Sequence, residues 1–142
     1  MSIWTNPKSI EQLNQLSRGS FQDHLNIKVT EIGDNYLVTT MEVTPLVLQP
    51  HGVLHGGASV VLAETTGSLG SEMCISAIQA CVGLEVNANH VRSVRTGILS
   101  CRAENSHLGR TTHIWSINIT NGDNKLVCTS RLTMAIVNKN QW

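Results

Sequence analysis

Hydrophobic and polar positions alternate, or apolar β-branched residues cluster, in six segments of this 142-residue chain. Alternation with a period of two is typical of strands that bury one face. The predicted strands are 25–32, 36–43, 81–91, 98–103, 111–120 and 127–137. Turn residues at 33–35 and 121–123 join neighbouring strands, which predicts two hairpins.

Two further segments have helical spacing. Residues 9–16 carry a start signal at Ser9 and apolar residues three positions apart. A longer helix is predicted from Gly56 or Gly57 to the middle seventies. The order is a helix, two strands, a long helix and four strands, which predicts an α+β fold. In this fold an antiparallel sheet packs on one long apolar helix, and residues 1–142 form a single domain.

The long helix has two faces in this pattern. One is an apolar stripe for the sheet, formed by Ala58, Val61, Leu62 and Leu69. The other is small and polar around one acid, and it contains Gly57, Val60, Glu64, Gly67, Ser68 and Ser71. We expect this second face to admit either a ligand or a second helix. The alternative is a tight helix contact in which Glu64 pairs with a basic group.

The start of this helix favours an oxyanion site. Gly56 and Gly57 allow a close approach of the backbone, and the first helical amides have no partners within the helix. With the helix dipole they can stabilise a carbonyl oxygen that gains negative charge. A carboxylate at Glu64, surrounded by apolar residues, is costly unless it has a function or a partner.

The spacing along the helix limits how a site could use both the Gly56 amide and the Glu64 carboxylate. Gly56 and Glu64 are eight residues apart, which is about 12 Å along a helix axis. One small reactive group can hardly contact both within one chain. If both act in catalysis, we therefore expect the site to combine Gly56 of one protomer with Glu64 of another, as antiparallel helices about a two-fold axis would allow.

Composition narrows the classes of function. Ten basic and ten acidic residues give a formal charge of zero, without a basic patch for nucleic acid. Charged residues make up 14% of the chain, against about 25% in typical domains, which suggests self-association or a surface rich in Ser, Thr and Asn. The four cysteines show no metal-binding or redox spacing. With no secretory signal or membrane-spanning segment, a cytoplasmic protein with reduced thiols is expected.

Several segments together resemble the hotdog-fold acyl-CoA thioesterases, over nearly the whole chain. They look closest to the bacterial branch that contains 1,4-dihydroxy-2-naphthoyl-CoA thioesterases. The matching segments are 49–50, 54–64, 67–68, 82–92, 107–110 and 130–133. The resemblance implies the hotdog fold, an antiparallel sheet wrapped around one central helix. It also implies a thioester hydrolase that needs no cofactor, since coenzyme A is part of the substrate, and it implies homodimers that assemble into tetramers.

The resemblance also implies roles for individual residues. Glu64 would attack the thioester or activate water, and the Gly56 amide would polarise the carbonyl. Gln49 and His55 would position the thioester, and Ser68 would hold the hydrolytic water. A second group would meet the nucleotide and phosphates of coenzyme A, and it consists of His90, Arg92, His107, Gly109 and Arg110.

Two departures from the family pattern concern the acyl group. His51 stands where close relatives carry Phe, and the segment 71–81 also differs from them. Both lie near the expected acyl pocket, so the sequence leaves acyl specificity open.

Other functions are less consistent with the sequence. A hydroxyacyl dehydratase shares the fold, but the Pro-rich turn expected around its loop His is absent. A non-catalytic acyl-CoA-binding protein is another alternative, although the presence of Glu64 favours catalysis. His51 and His55 are four residues apart in a loop that contains Gly52, which does not favour a metal site. No Gly-flanked Ser nucleophile is present.

Overall fold

The computed structural model describes residues 1–141 and contains three helices and six strands. The helices are α1 (Ile10–Leu16), α2 (Phe21–His24) and α3 (Gly56–Met73). The strands are β1 (Lys28–Ile32), β2 (Tyr36–Glu42), β3 (Gln79–His90), β4 (Ile98–Leu108), β5 (Thr112–Thr120) and β6 (Leu126–Asn138). Short 3-10 turns occupy Pro45–Val47 and Lys139–Gln141. In the described part of the chain, no helix has both the length and the apolar character needed to cross a bilayer.

The six strands form one antiparallel sheet in the order β1-β2-β4-β5-β6-β3, and α3 packs against it. Glycines in α3 make this packing close. A Cβ on Gly67 would lie 2.6 Å from Leu132 Cδ2, and a Cβ on Gly70 would lie 2.6 Å from Trp115 Cη2. Neither side chain can retreat easily, since Leu132 and Trp115 are fully buried. This arrangement is the α+β hotdog architecture that the resemblance implies.

One assignment of helix faces is wrong. Gly67 and Ser71 are buried against the sheet and are not available to a ligand or a second helix. Ser71 Oγ accepts a hydrogen bond from the Trp115 indole nitrogen at 2.8 Å and lies 3.1 Å from His113 Nδ1. Small residues on α3 therefore serve helix–sheet packing in part. Glu64 and Ser68 are half-buried, and the Ser68 hydroxyl lies 3.6 Å from Met134 Sδ on β6.

The limits of two strands, β1 and β4, differ by more than two residues from those predicted. β1 begins at Lys28, and not at residue 25, because α2 precedes it and Asn26 takes a left-handed conformation with φ 54°. β4 continues to Leu108, because its polar second half still pairs with β5 across a register shift between Asn105 and His107. The order of elements agrees with the prediction, except for the additional helix α2.

β3 is an edge strand that lies beside α3. Within residues 1–141 it pairs only with β6, and its other edge has no strand partner. A register shift between Gly83 and Glu85 interrupts the ladder, and Leu84 at that point is 64% exposed. Long unpaired edges are normally covered in stable proteins.

Candidate functional site

A hydrogen-bonded loop leads into α3. The Gln49 amide donates to the Val53 carbonyl at 2.8 Å, and the Gly52 amide donates to the Gln49 carbonyl at 2.9 Å. Gly52 has φ +76°, a left-handed conformation that favours glycine. The Gln49 side-chain oxygen accepts a hydrogen bond from the His51 amide. These bonds hold Gln49 next to the first turn of α3.

His55 caps α3 through its side chain. Its Nδ1 accepts a hydrogen bond from the Gly57 amide at 2.8 Å. Because Nδ1 is the acceptor in this hydrogen bond, Nε2 is the ring nitrogen left to act as a donor. The Gly56 amide, one residue earlier, has no acceptor within residues 1–141. The first turn therefore presents a free N–H at the positive end of an 18-residue helix.

A cavity of about 320 Å³ surrounds this helix start. Its lining combines loop, helix and edge-strand residues, namely Gln49, Val53, Leu54, Gly56, Ser59, His90, Val91, Arg92, Ser93 and Val127. The His90 ring lies against the helix start, because a Cβ on Gly56 would be only 2.8 Å from His90 Nε2. Arg92 is exposed, and its Nε donates to the Leu126 carbonyl at 3.2 Å. Four predicted site residues thus meet in one cavity.

Glu64 lies in a second cavity, of about 530 Å³. Its lining residues come from α1, α2, α3 and β3, and they are Leu16, Phe21, Gln22, Val61, Glu64, Thr65, Ser68, Leu69, Glu72 and Cys81. The carboxylate points towards β3, since a Cβ on Gly83 would lie 2.5 Å from Glu64 Oε1. Within the described residues Glu64 forms neither an ion pair nor a hydrogen bond. The alternative of a Glu64 paired to a base is therefore not found in the chain itself.

The two cavities divide the predicted catalytic residues. Gln49 and Gly56 belong to one, and Glu64 and Ser68 belong to the other. The structure therefore does not bring the Gly56 amide and the Glu64 carboxylate together within one protomer. This separation agrees with the distance of about 12 Å that eight helical residues impose.

Residues 51–128, which include all of α3 and all of the edge strand β3, match the model of the thioesterase superfamily. The chain belongs to the thioesterase superfamily. The resemblance to hotdog-fold thioesterases and the predicted enzyme class, a thioester hydrolase, are thereby confirmed.

Individual thioesterases agree with this assignment. The 1,4-dihydroxy-2-naphthoyl-CoA hydrolase of Escherichia coli is 44% identical over 95% of this chain and 99% of its own. The proofreading thioesterase EntH of Cronobacter turicensis is 40% identical over 95% of this chain and 98% of its own. A crystal structure of mutant thioesterase PA1618 from Pseudomonas aeruginosa superimposes with a TM-score of 0.94 at 46% identity, covering 96% of this chain and 99% of that one.

The residues predicted to contact coenzyme A form two separate groups in one protomer. His90 pairs with Cys128 on β6, whereas the hairpin at 107–110 lies near Met134, which pairs with His113. Six residues of strand separate these β6 positions, which is about 20 Å. At the hairpin the His107 ring covers Gly109, since a Cβ there would lie 2.6 Å from its Nε2, and Arg110 is exposed. One chain alone therefore cannot offer both groups to one phosphate.

The four cysteines are free thiols. Cys101 and Cys128 are buried, Cys74 and Cys81 are half-buried, and none forms a disulfide. Burial raises the pKa of the Cys101 thiol to about 12. Among the described residues, no three His, Cys, Asp or Glu side chains are grouped as metal ligands would be.

Sequence reasoning missed part of the Glu64 cavity. Phe21 and Gln22 belong to α2, whose four residues are too few to show periodicity. Glu72 could have been found, because it follows Glu64 and Ser68 at intervals of four residues on the same helix. Burial raises the pKa of the neighbouring Cys81 thiol to about 12, and the Glu72 carboxylate contributes to this rise.

Proposed function

We propose that this thioesterase hydrolyses aryl- or acyl-CoA to the free acid and coenzyme A, with Glu64 as nucleophile or general base. The observation that supports this proposal most strongly is the environment of Glu64. It is a half-buried carboxylate in a cavity of about 530 Å³, without an ion pair or hydrogen bond in the described chain. Such a group is available to attack a thioester carbon or to take a proton from water.

The loop at the start of α3 polarises the thioester carbonyl in this mechanism. The free Gly56 amide donates to the thioester oxygen as it becomes an oxyanion. His55 keeps the first turn in place through its bond to the Gly57 amide, and its Nε2–H faces away from that bond. Gln49 positions the thioester beside Gly56, and Ser68 holds water one turn after Glu64.

The active unit in this proposal is a homodimer whose two sites each use both chains. β3 runs antiparallel to α3, with His90 beside Gly56 and Gly83 beside Glu64. Pairing of two β3 edges about a two-fold axis would therefore bring the Gly56 end of one protomer towards Glu64 of its partner. The low charge content and the exposed Leu84 fit a buried surface at this edge. Tetramers would form from two such dimers in the cytoplasm.

Coenzyme A binds as part of the substrate, and no separate cofactor is required. His90 and Arg92 flank the Gly56 cavity and would contact the nucleotide and its phosphates. His107, Gly109 and Arg110 form the other group, about 20 Å away in the same chain, and would reach coenzyme A held mainly by another subunit. An aryl-CoA substrate is favoured by the 44% identity to the Escherichia coli hydrolase.

Thiol release from a panel of aryl-, short-chain and long-chain acyl-CoA tests this function. The wild-type protein should hydrolyse at least one aryl-CoA, and Glu64→Gln should lose most turnover while it retains fold and oligomeric state. Glu42→Gln, at an exposed position at the end of β2, is the matched control. Tight binding of acyl-CoA without thiol release would instead indicate a non-catalytic binding protein. Hydration of an enoyl thioester without thiol release would indicate a dehydratase.

A further inference from the structure

Arg95 connects the loop that contains Gln49 with the segment that follows β3. Its Nη1 donates a hydrogen bond to the His51 carbonyl at 3.5 Å and another to the Gly52 carbonyl at 3.3 Å. Within residues 1–141 the guanidinium forms no ion pair with a carboxylate. The head group of Arg95 is therefore directed at the loop.

The backbone next to Arg95 is anchored to the core. Val94 is buried, and its carbonyl accepts a hydrogen bond from the Leu54 amide at 2.7 Å. The Arg95 head group also packs on the turn of the loop, since a Cβ on Gly52 would lie 3.4 Å from Nη1. Hydrogen bonds from a charged donor are stronger than those between neutral groups. The arginine can thus hold both carbonyls of the turn from a fixed base.

These contacts affect the side chain of Gln49. The His51 amide donates to Gln49 Oε1, and the carbonyl of the same residue accepts from Arg95. Residue 51 is therefore held on both sides. Because Oε1 is engaged, Nε2 is the part of the Gln49 amide that remains available as a donor in the cavity around Gly56.

We infer that Arg95 is a positioning residue for thioester hydrolysis, which holds the loop 49–53 so that Gln49 Nε2 is presented to the thioester beside Gly56. This inference rests on the proposed function, in which Gln49 positions the thioester. Arg92 lines the Gly56 cavity, whereas Arg95 does not. Arg95 therefore acts through the loop. Without its head group a smaller fraction of the protein has the competent loop conformation, and turnover falls with that fraction.

Kinetics with two thioesters of the same acid separate this role from a contact with coenzyme A. One is the best acyl-CoA, and the other is the N-acetylcysteamine thioester, which lacks the nucleotide and its phosphates. Arg95→Ala should lower kcat/KM about 10-fold on both, through kcat, if the competent fraction falls to about one tenth. Arg95→Lys keeps a cationic donor and should stay within about threefold of wild type. Arg18→Ala, at an exposed arginine that lines neither cavity, controls for the lost charge and should leave both rates unchanged.

Hydrogen exchange tests the loop without any substrate. The Gly52 amide donates to the Gln49 carbonyl at 2.9 Å and should exchange at least about 10-fold faster in Arg95→Ala than in wild type. The matched control is the Gly33 amide, which donates to the Tyr36 carbonyl at 2.9 Å in the turn between β1 and β2 and should be unaffected.

Unchanged exchange at Gly52 in Arg95→Ala would overturn the inference, and so would an unchanged kcat on both thioesters. A loss confined to acyl-CoA and seen as a higher KM would also overturn it, because Arg95 would then contact coenzyme A directly. Wild-type protein that hydrolyses no thioester would refute the proposed function instead, and exchange at Gly52 would still show whether Arg95 holds the loop.

Discussion

Substitution of Gly83 by alanine should disable Glu64 without unfolding the protein. Gly83 lies on the edge strand β3, and the carboxylate of Glu64 occupies the space where a side chain would begin. The new Cβ would lie 2.5 Å from Glu64 Oε1, whereas ordinary contacts span 3.4–4 Å. The carboxylate must therefore move by about 1 Å, or rotate to another staggered conformation.

The expected loss of activity follows from that displacement. Misplacing a reacting group by about 1 Å costs on the order of 100-fold in rate, which is about 2.7 kcal/mol of transition-state stabilisation. Stability should respond differently, because the atom in conflict is the end of a flexible side chain. Replacing glycine by alanine in extended backbone also reduces the conformational entropy of the unfolded chain. This effect stabilises the folded protein by about 0.4–1 kcal/mol.

The assay measures kcat for the best acyl-CoA and the unfolding temperature of the same preparations. Gly83→Ala should lose about 100-fold in kcat, with an unfolding temperature equal to or slightly above that of wild type. Gly122→Ala is the matched control, since nothing lies within 4 Å of its Cβ position. Wild-type kcat in a folded Gly83→Ala protein would refute the placement of Glu64 as the reacting group. A large fall in unfolding temperature would show that Gly83 serves packing.

Two other predictions concern substrate binding and pH. Arg92→Ala and Arg110→Ala should raise KM for acyl-CoA severalfold, because their contacts with phosphates are alike in the ground and transition states. The increase should be larger at low salt, where charges are less screened. Equal losses on a truncated thioester without the nucleotide would argue for a structural role instead. Burial, with a smaller effect from His107, lowers the pKa of His113 below its usual 6.5. Just below pH 6.5 the unfolded chain therefore binds more protons than the folded chain. As a result, the free energy of unfolding should fall as pH decreases through that range. Denaturant titrations from pH 7.5 to 5 measure this slope, which His113→Gln should reduce; an equal slope in that variant would refute the role of His113.

Periodicity sufficed to predict most of the fold. Alternation in the strands and the long apolar segment after Gly56 predicted the order of the major elements, because these patterns follow directly from burial of one face. Helix α2 was missed, since four residues with no buried side chain leave no pattern. The second half of β4 was missed because its residues are mostly polar and exposed. Its pairing with β5 therefore produces no alternation of hydrophobic and polar residues in the sequence.

The sequence predicted the individual residues of the candidate site but not the contacts between α3 and the sheet that position them. Spacing on one helix separated Gly56 from Glu64, and the two cavities agree with that separation. The same spacing could not show that Gly67 and Ser71 face the sheet, because a small residue suits either a ligand or a closely packed strand. The contacts of Gly83 with Glu64 and of His90 with Gly56 depend on where β3 crosses α3, and this is set by tertiary packing.

The most direct test of a catalytic site shared between two protomers is the activity of a defined hybrid. Glu64→Gln and Gln49→Ala protomers, each of which we expect to be inactive alone, can be co-expressed with different tags and purified as the heterodimer through both tags. If Glu64 of one chain acts beside Gln49 and Gly56 of the other, the hybrid contains one intact site and one doubly altered site. It should therefore show about half of the wild-type activity per dimer. Heterodimers as inactive as the two parent proteins would contradict the account.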